Sequence, residues 1–381
     1  MPAIGLYLRL SGFYLFYFAI LGVFLPYWSL YLQSLGLLPA RIGELTAISL
    51  ATKVVAPNVW GWIADHTGRP MVIVRLACLA ALVCFAGVYP AGSSFSGLAL
   101  TIALFSFFWN AALPQFESTT LNHLGVNVHR YSGIRLWGSV GFIIAALLAG
   151  VLVQRWGSGI IPALLLLLFG ALWLDSLSVP EKQPHHDIRS QQQPLSGVIR
   201  QPAVIALLLV CFLNQLSHGP YYAFFSIYLQ GLGYSRQMIG ALWGLGVVAE
   251  IGIFLLIPWL LPALGARLLL LIAMALTSVR WWLLSQYAGQ LSLLLFAQTL
   301  HAFSFGAYHA TAIHLIHRFF SGRHQGRGQA LYSSLSFGAG GALGSLAAGY
   351  LWSSWGPEAT YLLAAGVSAL GFVVAWWRLR W

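Results

Sequence analysis

Apolar stretches long enough to cross a bilayer recur about every 30 residues in this chain, and they decide what it can fold into. Residues 98–108, 142–153, 160–174, 204–213 and 362–377 are examples, each extended by Gly, Ser or Thr. A helix rising about 1.5 Å per residue needs about 20 residues to cross the hydrocarbon core. Only 7% of the residues are charged and 59% are hydrophobic, against about 25% charged in a soluble domain. Too few charges remain to coat a water-soluble surface. Barrel strands are excluded, because they run to about 10 residues and alternate in polarity. The expectation is an all-α membrane protein with twelve transmembrane helices near 9–35, 39–64, 70–90, 95–123, 131–154, 158–178, 202–231, 235–260, 266–286, 289–318, 326–352 and 358–378.

A net charge of +11 invites a nucleic-acid reading, but the distribution argues against it. With twelve spans and the N-terminus inside, Arg9, Arg69, Arg75, Arg130, Lys182, Arg189, Arg200, Arg267, Arg318, Arg323, Arg327, Arg378 and Arg380 fall in cytoplasmic segments, and only Arg41, Arg155 and Arg236 fall outside. This positive-inside bias predicts a multi-pass protein of a bacterial inner (plasma) membrane with both termini cytoplasmic. Cys78, Cys84 and Cys211 are odd in number and lie in apolar spans, so neither a disulfide framework nor a zinc site is expected. The first apolar stretch is too long for a cleavable signal and reads as the first span. In the His-rich end of the tenth span, His314 and His317 have a usable ligand spacing, but no Cys or carboxylate joins them. No metal and no cofactor is expected.

The chain repeats itself. Ser29-Leu-Tyr-Leu-Gln-Ser-Leu-Gly36 returns as Ser226-Ile-Tyr-Leu-Gln-Gly-Leu-Gly233, and the match runs on to Ile42-Gly43 and Ile239-Gly240 at an offset of 197. Gly150-Val-Leu-Val-Gln-Arg-Trp-Gly157 resembles Gly349-Tyr-Leu-Trp-Ser-Ser-Trp-Gly356 at nearly the same offset. Six spans separate the copies, so the repeat is parallel. The expected division is a six-helix bundle over 1–179, a cytoplasmic linker over 180–201 rich in Pro and Gln, and a second six-helix bundle over 202–381.

Between the second and third spans lies Gly61-Trp-Ile-Ala-Asp65-His66-Thr-Gly68-Arg69. It resembles the major facilitator signature Gly-x-x-x-Asp-Arg/Lys-x-Gly-Arg, with His66 at the usual place of a fixed cation. Gly61 would let helices approach, Asp65 would accept from a helix N-terminus or pair with an Arg, and Gly68 would permit the reversal. Gly61, Asp65, Gly68 and Arg69 are therefore the expected conformational latch.

Lys53, Glu117, Arg135, Glu250, Arg280 and His301 are ionisable residues inside spans. A charge at the bilayer centre costs about 2.5–3.5 kcal/mol even on the lenient insertion scale, so pairing or a wet cavity is implied. Lys53 and Glu250 are related by the repeat offset of 197. Glu117 followed 18 residues later by Arg135-Leu-Trp-Gly-Ser-Val-Gly141 resembles the fourth and fifth helices of lactose permease-like proteins. That resemblance implies a sugar- or solute-holding pair, and it implies solute- and proton-handling roles for Glu250, Arg280 and His301. The lactose permease-like carboxylate one turn after the His is replaced here by Phe303-Ser304-Phe305, so that coupling scheme does not transfer. Phe24-Leu-Pro-Tyr-Trp-Ser29, Leu242-Trp-Gly-Leu-Gly-Val-Val-Ala-Glu250 and Val279-Arg280-Trp281 resemble the 3-phenylpropionate permease branch.

Tyr17, Phe24, Trp28 and Tyr31 share a helical face, as do Asn214, His218, Tyr221 and Tyr222 beside a Gly219-Pro220 kink. An aromatic wall with a cation suits an aromatic carboxylate, and a sugar would also stack on it. The expected substrate-binding residues are Trp28, Glu117, Arg135, Asn214, His218 and Tyr221. The expected proton-coupling residues are Lys53, Glu250, Arg280 and His301. The phosphate-loop, His-Glu-x-x-His and Gly-x-Ser-x-Gly motifs are missing, so an enzyme is not expected. The function read from the sequence is secondary active, proton-coupled uptake of a small organic solute by a monomer, best matched by an aromatic carboxylic acid. The alternatives are a sugar or nucleoside symporter and a non-transporting membrane sensor. Protons, a small molecule and the lipid bilayer are the expected partners, and nucleic acid is not.

Overall fold

The computed structural model describes residues 4–182 and 195–379, except for the side chains of Asp65, Leu195 and Arg323. Most of the linker, 183–194, with Arg189, and the terminal Arg380 lie outside the described residues; Leu195–Ile199 is a short helix. With no water to satisfy backbone amides in hydrocarbon, helices are the expected answer, and the described residues are helical with no strand among them.

Eight continuous helical stretches are long and apolar enough to span. Three of them are broken, by the 3₁₀ turn Gly125–Arg130, by Gly265 and by Gly356, and hold two spans each. Pro39–Thr67 is long enough but less apolar, because it carries Arg41, Glu44, Lys53 and Asp65. Twelve spans result among the described residues: α1 (Ile4–Ser34), α2 (Pro39–Thr67), α3 (Pro70–Phe85), α4 (Phe95–Leu124), α5 (Tyr131–Trp156), α6 (Ile161–Ser178), α7 (Pro202–Gly231), α8 (236–264), α9 (266–287), α10 (Leu291–Phe319), α11 (325–355) and α12 (357–378). In α7 the regular helix stops at Ser217 and restarts at Gly219, at the expected kink. Two π-helical turns, Ala302–Ala307 in α10 and Ser334–Gly340 in α11, have no sequence signal we recognise.

The chain forms two compact units. One comprises Met1–Leu37, Thr52–Asp187 and Tyr234–Gly244; the other comprises Leu38–Ala51, Ile188–Gly233 and Leu245–Trp381. In the first, α1 packs on α5 and α6, and α3 packs on α4 and α6. In the second, α7 packs on α11 and α12.

Glycines with positive φ reproduce the repeat. Gly36 and Gly233 (81° and 87°), Gly68 and Gly265 (63° and 74°), and Gly125 and Gly322 (52° and 57°) are each 197 residues apart, and Gly157 and Gly356 (81° and 80°) are 199 apart. Each ends or restarts a helix where only glycine adopts the left-handed backbone freely. The helical glycines of the repeat meet backbone. A Cβ at Gly22 would lie 2.9 Å from the Phe142 Cα, and one at Gly344 would lie 3.0 Å from the Leu216 carbonyl carbon. So α1 touches α5 in one unit as α7 touches α11 in the other.

The repeated segments noted in the sequence also meet. Within the second unit a Cβ at Gly43 would stand 2.7 Å from the Gly349 Cα. Beside it the Tyr350 hydroxyl donates to Glu44 at 2.6 Å. Within the first unit a Cβ at Gly150 would stand 2.9 Å from the Arg236 carbonyl oxygen. There the Tyr27 hydroxyl donates to the Ala146 carbonyl at 2.8 Å and to that of Arg236 at 3.2 Å.

Gly43→Val is expected to lower stability by about 1–3 kcal/mol through overpacking, read as a lower Tm of the purified protein. Gly170→Ala, in α6 with no atom within 4 Å of the added carbon, is expected not to lower Tm and to raise it slightly, since alanine favours a helix interior over glycine.

Candidate functional site

In the second unit a buried cation organises the expected residues. Arg280, on α9, is 0% exposed. Its Nε donates to the Ala297 carbonyl at 3.1 Å, Nη1 to Ser304 Oγ at 2.8 Å and to His301 Nδ1 at 3.0 Å, and Nη2 to Gln298 Oε1 at 3.0 Å. The guanidinium also lies over the rings of Tyr221, 4.3 Å from its centroid, and Trp281, at 4.6 Å. Four of these partners lie on α10, on or beside its π turn. That turn carries an extra residue and disturbs the regular backbone ladder. Asn214 on α7 answers it by donating Nδ2 to the Ser304 carbonyl at 3.2 Å.

The contact between Arg280 and His301 sets the histidine's tautomer. A guanidinium only donates, so Nδ1 must accept, and the ring is neutral with its proton on Nε2. Nε2 stands 3.6 Å from Glu250 Oε2 on α8. The order is therefore Arg280, neutral His301, Glu250. Gly306 gives Glu250 its place, since a Cβ there would lie 3.3 Å from the Glu250 Cγ.

Asn214, His218 and Tyr221, expected at the substrate, belong to the same cluster. The Asn214 carbonyl accepts from His218 Nδ1 at 2.7 Å, the His218 ring meets Trp281 edge-on at 4.8 Å, and the Tyr221 hydroxyl accepts from Gln298 Nε2 at 3.2 Å. Asn214 Oδ1 and His218 Nε2 are buried acceptors with no hydrogen-bond donor among the described residues.

The first unit holds the other pair. Arg135 Nε lies 4.0 Å from Glu117 Oε1, and both side chains are 32% exposed. The Tyr131 hydroxyl donates to Glu117 at 3.2 Å, and the guanidinium sits 3.9 Å over the Phe18 ring. The glycines after Arg135 now have a reason. A Cβ at Gly138 would lie 2.8 Å from Arg135 Nη1, and one at Gly141 would lie 2.9 Å from the Leu15 carbonyl carbon on α1. Trp28 does not join this pair. It is 4% exposed and its ring lies among Phe24, Tyr31 and Phe85.

The α2–α3 turn differs from expectation in two places. Gly61 is not a close-approach glycine, because a Cβ there would meet only Gln115 Nε2, at an ordinary 3.7 Å. The amide groups at the start of α3 are taken by Glu181, whose carboxylate accepts from Met71 N at 3.1 Å and Val72 N at 3.2 Å. The Asp65 side chain lies outside the described residues. Gly68 makes the reversal at φ 63°, and Arg69 is exposed at the N-cap of α3. His66 turns back on its own helix, its Nδ1 2.8 Å from the Trp62 carbonyl. Around Glu181, Arg75 donates to the Val179 carbonyl at 2.6 Å, Arg9 to that of Ser178 at 3.0 Å, and His123 Nε2 lies 3.1 Å from that of Pro180.

Sequence reasoning missed Gln298 and Ser304, although both are polar residues one turn to either side of His301. It also missed Tyr131, one turn before Arg135, and Glu181, which was assigned to the linker. Asp175 on α6 was missed as well; its Oδ2 is buried without a hydrogen-bond partner among the described residues.

Helices carrying buried charge in two repeated bundles define a membrane transporter. Residues 7–363 match the MFS_1 like family, and the chain belongs to that family of major facilitator transporters. It is 33% identical over 365 residues, 92% of each chain, to the "Probable 3-phenylpropionic acid transporter" of Escherichia coli strain K12. It is 28% identical over 379 residues to the "Maltose permease" of Geobacillus stearothermophilus, covering 96% of this chain and 93% of that one. The crystal structure of a mutant of the nucleoside transporter NupG shares the fold at a TM-score of 0.87 and 16% identity, covering 98% of this chain and 100% of that one. As a member of this family the chain is a membrane transporter of a small molecule and not an enzyme.

Arg280→Met would strip hydrogen bonds from four buried acceptors. With about 1–3 kcal/mol for each acceptor left unsatisfied, the variant is expected to lose at least about 2 kcal/mol, read as a lower Tm of the purified protein.

Proposed function

We propose that this transporter takes up a small aromatic carboxylate, such as 3-phenylpropionate, together with a proton by alternating access. The carrying observation is the order Arg280, neutral His301, Glu250. With His301 Nδ1 occupied by Arg280, the ring has no site for a second proton, and Glu250 is the group that loads and releases one. Its neighbour offers an Nε2–H to the carboxylate form. Arg280 and His301 position that exchange and do not carry the proton themselves. Asn214, His218 and Tyr221 bind solute beside it within the second unit; Glu117 and Arg135 are the solute-contacting pair of the first unit. Trp28 supports the α1 wall from behind.

The resemblance to a 3-phenylpropionic acid transporter favours the aromatic acid. The maltose permease relative and the Glu117–Arg135 pair favour sugar as the second reading. Gly68, Arg69, Asp65 and Glu181 shape the α2–α3 latch, with Gly61 as a lesser member. The protein works as a monomer in a bacterial inner membrane with both termini in the cytoplasm.

Proteoliposomes are expected to accumulate radiolabelled 3-phenylpropionate only when an inward proton gradient is imposed. Glu250→Gln is expected to abolish gradient-driven accumulation and keep solute exchange at zero gradient. Accumulation by this variant equal to that of the wild type would remove Glu250 from coupling. Gradient-driven uptake of maltose and not of the acid would select the sugar reading. Solute binding without accumulation would favour a sensor.

A further inference from the structure

Among the described residues, Arg280, Arg135 and Lys53 are the cations that the sequence sets apart inside the spans. The structure separates them by what they already hold. The Arg280 fork is committed to protein acceptors. Arg135 faces Glu117 and the Phe18 ring. Lys53 has no hydrogen bond and no ion pair among the described residues.

Its position makes this notable. Lys53 is the middle residue of Pro39–Thr67, about 21 Å of helix from either end at about 1.5 Å per residue, so snorkelling to an interface is out of reach. It also lies on the protein side of α2. Its neighbour Thr52 accepts from Asn110 Nδ2 on α4 at 2.8 Å, and Trp60, two turns on, meets Phe107 and Phe108 of α4 at 5.9 and 5.8 Å.

Two indole N–H groups, one on α2 and one on α4, have no acceptor among the described residues. Trp109, beside Asn110, is 4% exposed, and its Nε1–H is buried with no acceptor among the described residues. Trp60 Nε1–H is buried in the same condition. A lone ammonium at the middle of a span is complementary to an anion. Trp109 itself faces the core of the first unit, its ring against Tyr17, Phe24, Phe105 and Phe169.

We propose that Lys53 is the anchor for the carboxylate of the transported solute. This rests on the reading of the solute as an aromatic acid, and it takes Lys53 out of the proton-handling set and makes it a substrate-binding residue. The site takes a monocarboxylate. It rejects the isosteric amide, which offers no negative charge to an ammonium at the middle of the membrane.

The test is ligand-induced stabilisation of the purified full chain in detergent, titrating 3-phenylpropionate and 3-phenylpropanamide against wild type, Lys53→Met and Lys53→Arg. The acid is expected to raise the wild-type Tm saturably and the amide to have no effect. A charged hydrogen bond lost with the ammonium predicts affinity for the acid about 10- to 100-fold weaker in Lys53→Met. Lys53→Arg, which keeps the charge, is expected to recover part of it. Unliganded Tm and elution volume show that the variants are folded, and Lys53→Arg carries the comparison if Lys53→Met does not fold. Affinity of Lys53→Met within twofold of wild type overturns the anchor, as does equal binding of the amide. If the aromatic acid leaves the wild type unmoved while an aliphatic carboxylate stabilises it and not Lys53→Met, the aromatic reading falls and the anchor stands. If no carboxylate binds wild type, both fall.

Discussion

A guanidinium far from water must be solvated by protein, and much of the second unit is arranged to do that for Arg280. Five side chains and a carbonyl converge on it. The π turn in α10 brings Ser304 and His301 to the same Nη1, and α7 repairs the disturbed backbone with Asn214. Because buried polar groups with partners missing are costly, each member constrains the next. The direction of the hydrogen bond then carries chemical meaning, since a donor-only group on Nδ1 leaves a single tautomer to face Glu250.

Much of this was legible in the sequence. Length and apolarity yielded the spans, because hydrocarbon imposes one backbone solution and one minimum length. The ionisable residues stood out because each is costly in an apolar run, and the resemblance to lactose permease-like proteins set Glu117 with Arg135 and grouped Glu250, Arg280 and His301 without saying which of these three touch. The motif glycines were visible as a pattern, and the structure supplies their physical reason: Gly138 makes room for a guanidinium and Gly141 for a helix backbone.

What was not legible has physical reasons too. The π turns leave no composition signal, since they reflect how a helix relaxes against its neighbours. Gln298 and Ser304 are ordinary polar residues until a cation is placed between them. Glu181 followed the last apolar residue of α6 and read as linker, although its carboxylate closes the start of α3. Trp28 looked like a wall residue because aromatic spacing shows which residues share a face and not which side that face is on.

The two copies of the repeat differ in length between matching glycines. From Gly125 to Gly157 the first copy spends 32 residues, and from Gly322 to Gly356 the second spends 34, although both stretches begin and end on the same left-handed glycines. The longer stretch contains the π turn Ser334–Gly340, whereas α5 is α-helical throughout its length. A π turn is how a helix absorbs an inserted residue without moving its ends. The longer stretch is accommodated partly within the helix, and its glycines still meet α7. The scaffold stays symmetric while the side-chain register around the π turn differs, so one bundle of the pair has a surface that its sister does not have.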